Sequence, residues 1–140
     1  MNKNTVVVAG EPYSVFFELV FKLLKLKKIT KPFILVCSKN LLISQMKKLK
    51  YNFKVNEIKK NQKKNIKLLK NHINILDVNF NFKKTFDKIS TRSSKYIENC
   101  FNEGLKLIKT GEASTLINGP VSKKHFLKKN FLGITEYITK

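Results

Sequence analysis

The hydrophobic positions of this chain follow two alternating patterns. Residues 73–78 predict a short strand, and apolar runs without polar alternation cover residues 5–9 and 33–37. Such runs are typical of strands that are buried on both faces. Between them, apolar residues recur every three or four positions, which predicts helices over residues 13–28, 40–49 and from Ser90 or Thr91 to Lys109. This alternation predicts an α/β fold with a mainly parallel sheet flanked by helices.

The segments between these elements have weaker patterns. Tyr51, Phe53 and Val55 alternate with polar residues, which predicts a half-exposed strand. Residues 59–70 are rich in lysine and asparagine, and we interpret them as a surface excursion. Residues 80–86 are interpreted as extended or irregular.

A further apolar run, residues 114–117, ends abruptly at Asn118-Gly119-Pro120. It predicts a buried strand that stops where proline cannot add a ladder hydrogen bond. A short helix over residues 123–129, capped by Ser122, would follow. Gly119 either adopts a positive φ or lets a ligand approach the backbone. Open α/β sheets bind ligands at such turns, but an ordinary strand-to-helix connection explains the turn equally well.

Length and composition limit the possible classes of protein. The 140 residues suffice for one modest domain with its own core. The most apolar stretch, residues 15–26, is interrupted by three charged residues and predicts an amphipathic helix, not a membrane span. Cys37 and Cys100 lack metal or disulfide spacing. We interpret them as small buried residues of a protein in a reducing compartment.

The formal net charge of +20 suggests nucleic acid as a partner at first sight. However, Arg92 is the only arginine, and the lysines are spread along the whole chain. Joint enrichment in lysine, asparagine and isoleucine is what an AT-rich coding sequence produces. Base readout and bidentate phosphate contacts favour arginine. We therefore expect no specific nucleic-acid binding, only weak, salt-sensitive attraction to polyanions and some attraction of a phosphorylated substrate.

The residues that could carry chemistry are few. His72 and His125 are the only histidines, and no ligand spacing surrounds them, so the sequence predicts no metal site. Gly10-Glu11-Pro12 lacks the glycine spacing of a dinucleotide loop. The residues alone therefore predict a basic α/β domain with a ligand-type turn at residues 118–123.

Two motifs also resemble a known family. Ile117-Asn118-Gly119-Pro120-Val121-Ser122-Lys123 and the later Gly133-Ile134-Thr135-Glu136 are similar to Thr-Gly-Pro-(Ile/Val)-x-Lys and Gly-His-Thr-Glu of the 4-hydroxythreonine-4-phosphate dehydrogenases of vitamin B6 biosynthesis. Gly10-Glu11-Pro12 resembles the Gly-(Glu/Asp)-Pro loop of that family. The resemblance covers only the amino-terminal part of a family member.

The resemblance implies a fold and an activity. Residues 1–140 would form a single, incomplete lobe related to the isocitrate and isopropylmalate dehydrogenases. Family members are cytoplasmic homodimers that oxidise a phosphorylated hydroxy amino acid, 4-phosphooxy-threonine, with NAD or NADP, and the product then loses CO2. Three histidines hold a divalent metal. Those histidines, and most of the residues that bind the cofactor and the phosphate, would lie beyond Lys140.

The resemblance also implies site residues. The substrate-binding His-Thr pair of the family falls on Ile134 and Thr135, and Lys123 would lie near the substrate or its phosphate. The side chain of Ile134 cannot form hydrogen bonds. The substrate contact that the family's histidine makes through its imidazole is therefore lost or is made by another residue. Each position also has a structural explanation: Thr135 could start the next element, and Lys123 could be a solvated helix lysine. Similarly, Glu136 could pair with a surface lysine, and Glu11 could only brace its own turn.

Two hypotheses follow. In the first, the chain is the amino-terminal part of such an NAD(P)-dependent dehydrogenase, inactive by itself because its sites are incomplete. In the second, it is a non-catalytic lobe or gene remnant that binds a partner chain through an exposed apolar face. The short sequence after Glu136 also suggests that no closing helix follows the last motif.

Overall fold

The computed structural model of the protein describes residues 3–59, 61–62, 64–128 and 130–139. Its strands are β1 (Asn4–Val8), β2 (Ile34–Cys37), β3 (Lys54–Glu57), β4 (His72–Asp77) and β5 (Ala113–Asn118). They form one sheet in the order β3-β4-β2-β1-β5, in which every neighbouring pair is parallel. The predicted α/β class with a parallel sheet is therefore confirmed.

Helices cover both faces of this sheet. They are α1 (Phe16–Lys25), α2 (Lys39–Lys48), α3 (Ser94–Lys109) and α4 (Ile134–Thr139), with a 3-10 turn at Thr91–Ser93 and a π-helical turn at Lys123–Leu127. One face of the sheet packs against α1 and α2, and the other packs against α3. Successive residues of β1 point to opposite faces: Val7 belongs to the first core and Val8 to the second. The apolar runs reflect this burial on two sides.

The start predicted for the long helix is a 3-10 turn at Thr91–Ser93, and α3 itself begins at Ser94. Two further elements begin later than predicted. The turn after β1 extends through Ser14, whose N–H and Oγ–H both donate to the carbonyl of Glu11 at 3.2 and 2.9 Å, so α1 begins only at Phe16. The third strand begins at Lys54. Tyr51 and Phe53 lie before it and pack on Phe21 of α1, with ring centroids 5.4 and 6.0 Å away. Their alternation therefore arises from packing between loop and helix, not from a strand.

The position of β5 differs from the prediction of a buried strand. β5 pairs with β1 on one side and is the last strand of the described sheet. Ser114 and Thr115 are exposed, and the side chain of Ile117 is 51% exposed. Residues 114–117 do form a strand, as predicted. Within the described residues, however, no further strand pairs with the outer edge of β5.

Other predictions hold within the described residues. Neither helix nor strand occurs in the described part of residues 59–70, and residues 80–86 are irregular. Cys37 and Cys100 are buried free thiols, and burial raises the pKa of Cys100 to about 12. No described helix has the length and apolar character needed to cross a membrane.

Candidate functional site

The two motif loops predicted from sequence lie side by side. β1 and β5 are parallel neighbours with Val8 opposite Asn118, so their carboxyl ends meet at one edge of the sheet. There, the backbone N–H of Glu11 donates to the carbonyl of Pro120 at 2.8 Å, and the N–H of Gly119 donates to the carbonyl of Val8 at 2.6 Å. The loops at residues 10–12 and 118–122 therefore form one unit, which we call the crossed loops.

Two glycines make this crossing possible. Gly10 has a φ of +76°, and a Cβ atom there would collide with the carbonyl oxygen of Pro120. A Cβ atom on Gly119 would collide with the carbonyl oxygen of Ala9. Of the two roles open to Gly119, positive φ is not adopted, and the group that lies closest to the position of a Cβ atom there is the carbonyl of Ala9. The glycines therefore provide backbone packing rather than a cradle for a phosphate.

Glu11 fixes the second loop from within. Its side chain is 3% exposed, and its Oε1 accepts a hydrogen bond from the backbone N–H of Ser122 at 3.2 Å. Its Oε2 is also buried, and no donor among the described residues reaches it. Glu11 therefore braces the other loop and not only its own turn, contrary to the sequence interpretation.

The burial of Glu11 alters its ionisation. Desolvation raises the pKa of this carboxyl group, and the hydrogen bond from Ser122 opposes the rise only partly. The protonated form is thus favoured relative to an exposed glutamate. The ionisation of Glu11 is therefore coupled to its burial between the crossed loops.

Ser122 caps the π-helical turn, as predicted. Its Oγ accepts from the N–H of His125 at 3.1 Å. The turn ends at Lys128, which has a φ of +50°, and Lys129 of the predicted helix lies outside the described residues. Lys123, in the first position of the turn, is exposed and forms no ion pair within the described part of the chain.

The predicted substrate pair starts the last helix. Ile134 is half-buried and packs against the core on the α3 side of the sheet, whereas Thr135 is exposed. No lysine of the described residues pairs with Glu136, and its Oε2 accepts from the N–H of Leu132 at 2.7 Å and thus holds the start of α4. The sequence predicted no closing helix after the motif, whereas the structure has a short helix that begins within it, at Ile134, and runs to Thr139. The role of Thr135 in substrate binding stays a prediction.

Aromatic packing connects α4 to the π-helical turn. Tyr137 of α4 lies 5.0 Å from Phe126 and 5.5 Å from Phe101 of α3, measured between ring centroids. The π-helical turn, which follows the motif at residues 117–123, and α4, which contains residues 134–136, are therefore both anchored on α3. Across the described ranges, no three histidine, cysteine, aspartate or glutamate side chains come together as a possible metal site. The residues present do not fit the divalent metal that the family resemblance implies.

Fold and site together define a class of protein: a parallel α/β lobe with two polar loops joined at the carboxyl edge of its sheet, where such sheets place ligands. The family model of the pyridoxal phosphate biosynthetic protein PdxA matches residues 28–140. The chain belongs to this family. No curated protein sequence gives a significant match.

Two solved structures share this fold. One is a protein assigned as a 4-hydroxythreonine-4-phosphate dehydrogenase from Salmonella typhimurium, with a TM-score of 0.78 and 17% identity. The other is a 4-hydroxythreonine-4-phosphate dehydrogenase from Burkholderia phymatum, with a TM-score of 0.79 and 14% identity. The similarity covers 99% of this chain but only 44% and 43% of those chains. The chain thus spans less than half of their length.

The crossed loops generate a stability prediction. We expect Gly119→Ala to lower the free energy of unfolding by about 2–3 kcal/mol, because the added methyl group pushes the carbonyl of Ala9 away. Gly133→Ala is the matched control, since nothing lies within 4 Å of a Cβ there and its φ is not positive. Urea unfolding of both variants measures the difference. Equal stability of the two variants would contradict the packing role of Gly119.

The raised pKa of Glu11 generates a pH prediction. Its stabilising contribution is fully present below the unfolded-state pKa of 4.5 and is lost as the pH rises through the higher pKa of the folded state. Glu11→Gln keeps the acceptor for Ser122 but does not titrate, so its unfolding free energy should vary less over this range. Urea titrations at several pH values test this, with Glu98→Gln as control, because the side chain of Glu98 is 45% exposed and pairs only with the exposed Lys95 among the described residues. Identical pH profiles of Glu11→Gln and the natural protein would refute it.

Proposed function

We propose that the chain is the amino-terminal part of a 4-hydroxythreonine-4-phosphate dehydrogenase-like enzyme. Such an enzyme oxidises a phosphorylated hydroxy amino acid with NAD or NADP, followed by decarboxylation, in pyridoxal phosphate biosynthesis. The observation that carries the proposal is the joining of two family motifs into the crossed loops, on a chain of that family. We further propose a cytoplasmic protein that acts as a homodimer or with a partner chain.

The chain alone should be inactive. A divalent metal, when bound, would polarise the alcohol oxygen of the substrate, but the described residues offer no cluster of ligands for it. The solved relatives are more than twice as long as the matched region. The contribution of this chain is therefore to bind and orient the substrate at the carboxyl edge of the sheet.

Thr135 and Lys123 are the residues proposed for this role. The hydroxyl of Thr135 is exposed and forms no hydrogen bond within the described residues, so it is free to bind a substrate oxygen. Lys123 is likewise available to a phosphate. Ile134 stands at the position of the family histidine, but its side chain has no polar atom and packs on the core. A substrate contact at that position must come from another residue, and the substrate could differ from that of the relatives.

A second candidate function is a non-catalytic lobe that binds a partner chain. The uncharged edge strand β5 favours it. Edge strands commonly carry charges that prevent further pairing, and β3 at the other edge has Lys54 and Glu57. β5 reads Ala-Ser-Thr-Leu-Ile-Asn and has no charge, with Ile117 exposed. This edge is suited to a further strand.

An activity assay separates the two functions. We expect no NADH or NADPH formation when the purified chain is mixed with 4-phosphooxy-threonine, either cofactor and a divalent metal. The Burkholderia phymatum enzyme serves as positive control. The assay is then repeated with a second polypeptide that spans the rest of that relative.

Turnover by the mixture would support the enzyme. Co-elution of the two polypeptides in gel filtration without turnover would support the binding lobe. Turnover by the chain alone would show that its site is complete and would refute the expected inactivity. A mixture that shows neither turnover nor co-elution would argue against both functions.

The role of Thr135 is tested by substrate binding. We expect Thr135→Val to weaken binding of 4-phosphooxy-threonine about fivefold, the effect of losing one hydrogen bond. Thr139→Val is the matched control on the same helix, because the hydroxyl of Thr139 already donates to the carbonyl of Glu136 at 3.1 Å. Calorimetric titration measures both affinities. Equal affinities of the two variants would exclude the contact.

A further inference from the structure

A cavity lies at the carboxyl edge of the sheet, apart from the crossed loops. It has a volume of about 570 Å³ and is lined by Tyr13, which follows the first loop, and by residues between 80 and 93, the connection from β4 to α3. We call it the basic groove. Neither the motifs nor the predicted site residues belong to it.

Aromatic rings line part of the basic groove. The ring of Phe80 lies 5.9 Å from that of Tyr13 and is stacked at 6.2 Å on that of Phe82. Phe80 also packs on the buried Tyr96, with 4.7 Å between the ring centroids. The aromatic surface is therefore held by the core and offers a flat apolar contact.

Hydrogen bonds fix the wall of the groove to the first motif loop. The buried Gln45 donates from its Nε2 to the carbonyls of Pro12 and Thr85, both at 3.0 Å. The hydroxyl of Thr85 also bonds to that of Ser44 at 2.7 Å, and the hydroxyl of Tyr13 donates to the carbonyl of Lys84 at 3.3 Å. A buried amide that satisfies two loop carbonyls orders both segments. The groove is thus a preformed feature rather than a gap beside a loose loop.

The charge of the groove is strongly positive. Four cationic side chains line it, against one carboxylate, that of Asp87. One oxygen of Asp87 accepts from the N–H of Lys88 at 2.8 Å. None of the four cations forms an ion pair with another part of the described chain. They are Lys83, Lys84, Lys88 and Arg92. A bound anion would therefore balance the excess positive charge of these side chains.

Arg92 distinguishes this groove from the generally basic surface. It is the only arginine among 29 basic residues, in a chain whose composition otherwise uses lysine for positive charge. Arginine binds phosphate through two parallel N–H donors, which lysine cannot reproduce. The single arginine of the protein lies where four cations meet an aromatic surface.

We propose that the basic groove binds a small organic phosphate, with Arg92 on the phosphate and a flat apolar part of the ligand on Phe80 and Phe82. This goes beyond the proposed function, because no residue of the groove belongs to the predicted substrate pair. The groove is formed within this chain, so its occupation requires neither catalysis nor a partner.

Titration of the full chain at constant ionic strength tests the proposal, with phenyl phosphate and inorganic phosphate as probes. We expect one saturable site that prefers phenyl phosphate. Arg92→Lys preserves the charge but should weaken binding of phenyl phosphate about tenfold, as loss of a bidentate contact does. Phe82→Leu should reduce the preference for phenyl phosphate over inorganic phosphate.

Paired lysine variants separate the groove from general attraction. Lys88→Ala should weaken binding, whereas Lys48→Ala, an exposed lysine on α2, removes the same charge outside the groove and should not. Equal effects of these two variants, or no effect of Arg92→Lys, would overturn the proposal. A single-stranded oligonucleotide that binds without displacing phenyl phosphate would support a groove that is separate from the general attraction of polyanions. Tight oligonucleotide binding at the groove, with none of phenyl phosphate, would replace it with a nucleic-acid site.

Discussion

The crossing of two loops at the carboxyl ends of β1 and β5 is the constraint on which the carboxyl edge of the sheet depends. It brings together segments 111 residues apart, through backbone hydrogen bonds and the contact from Glu11 to Ser122. The crossing requires glycine at residues 10 and 119, since each would otherwise place a Cβ atom in the other loop. Loops that connect parallel strands are free to diverge. Here their conformations are mutually determined, so the two motifs act as one structure.

The carboxyl edge of the sheet also collects the other polar features of the chain. Gln45 links the first loop to the wall of the basic groove, and the π-helical turn is attached to α3 where the hydroxyl of Ser94 donates to the carbonyl of His125 at 3.2 Å. One continuous hydrogen-bonded frame thus carries both loops and the groove. This is the edge at which ligands bind in open parallel sheets, and its excess of cations suits phosphorylated ligands.

The two edge strands of the described sheet, β3 and β5, differ in charge. At β3 the edge carries charged residues, and the ion pair of Lys39 with Glu57 at 2.8 Å lies beside it. At β5 the edge is uncharged and partly apolar. Of the two edges, β5 is therefore the one that suits an additional strand, as in the proposed binding of a partner chain.

The sequence by itself determined the α/β class, the cores of β1, β2 and β4, the long helix α3 and the cap at Ser122, because apolar runs, helical periodicity and capping act over a few residues. It also identified the family, through motifs that are local in the chain. Tertiary structure decided the partner of Glu11, the packing of Tyr51 and Phe53 on α1, the exposure of β5 and the assembly of the basic groove around Arg92. Each of these depends on which strands become neighbours. That order is set by the packing of the whole sheet, and no local pattern of residues encodes it.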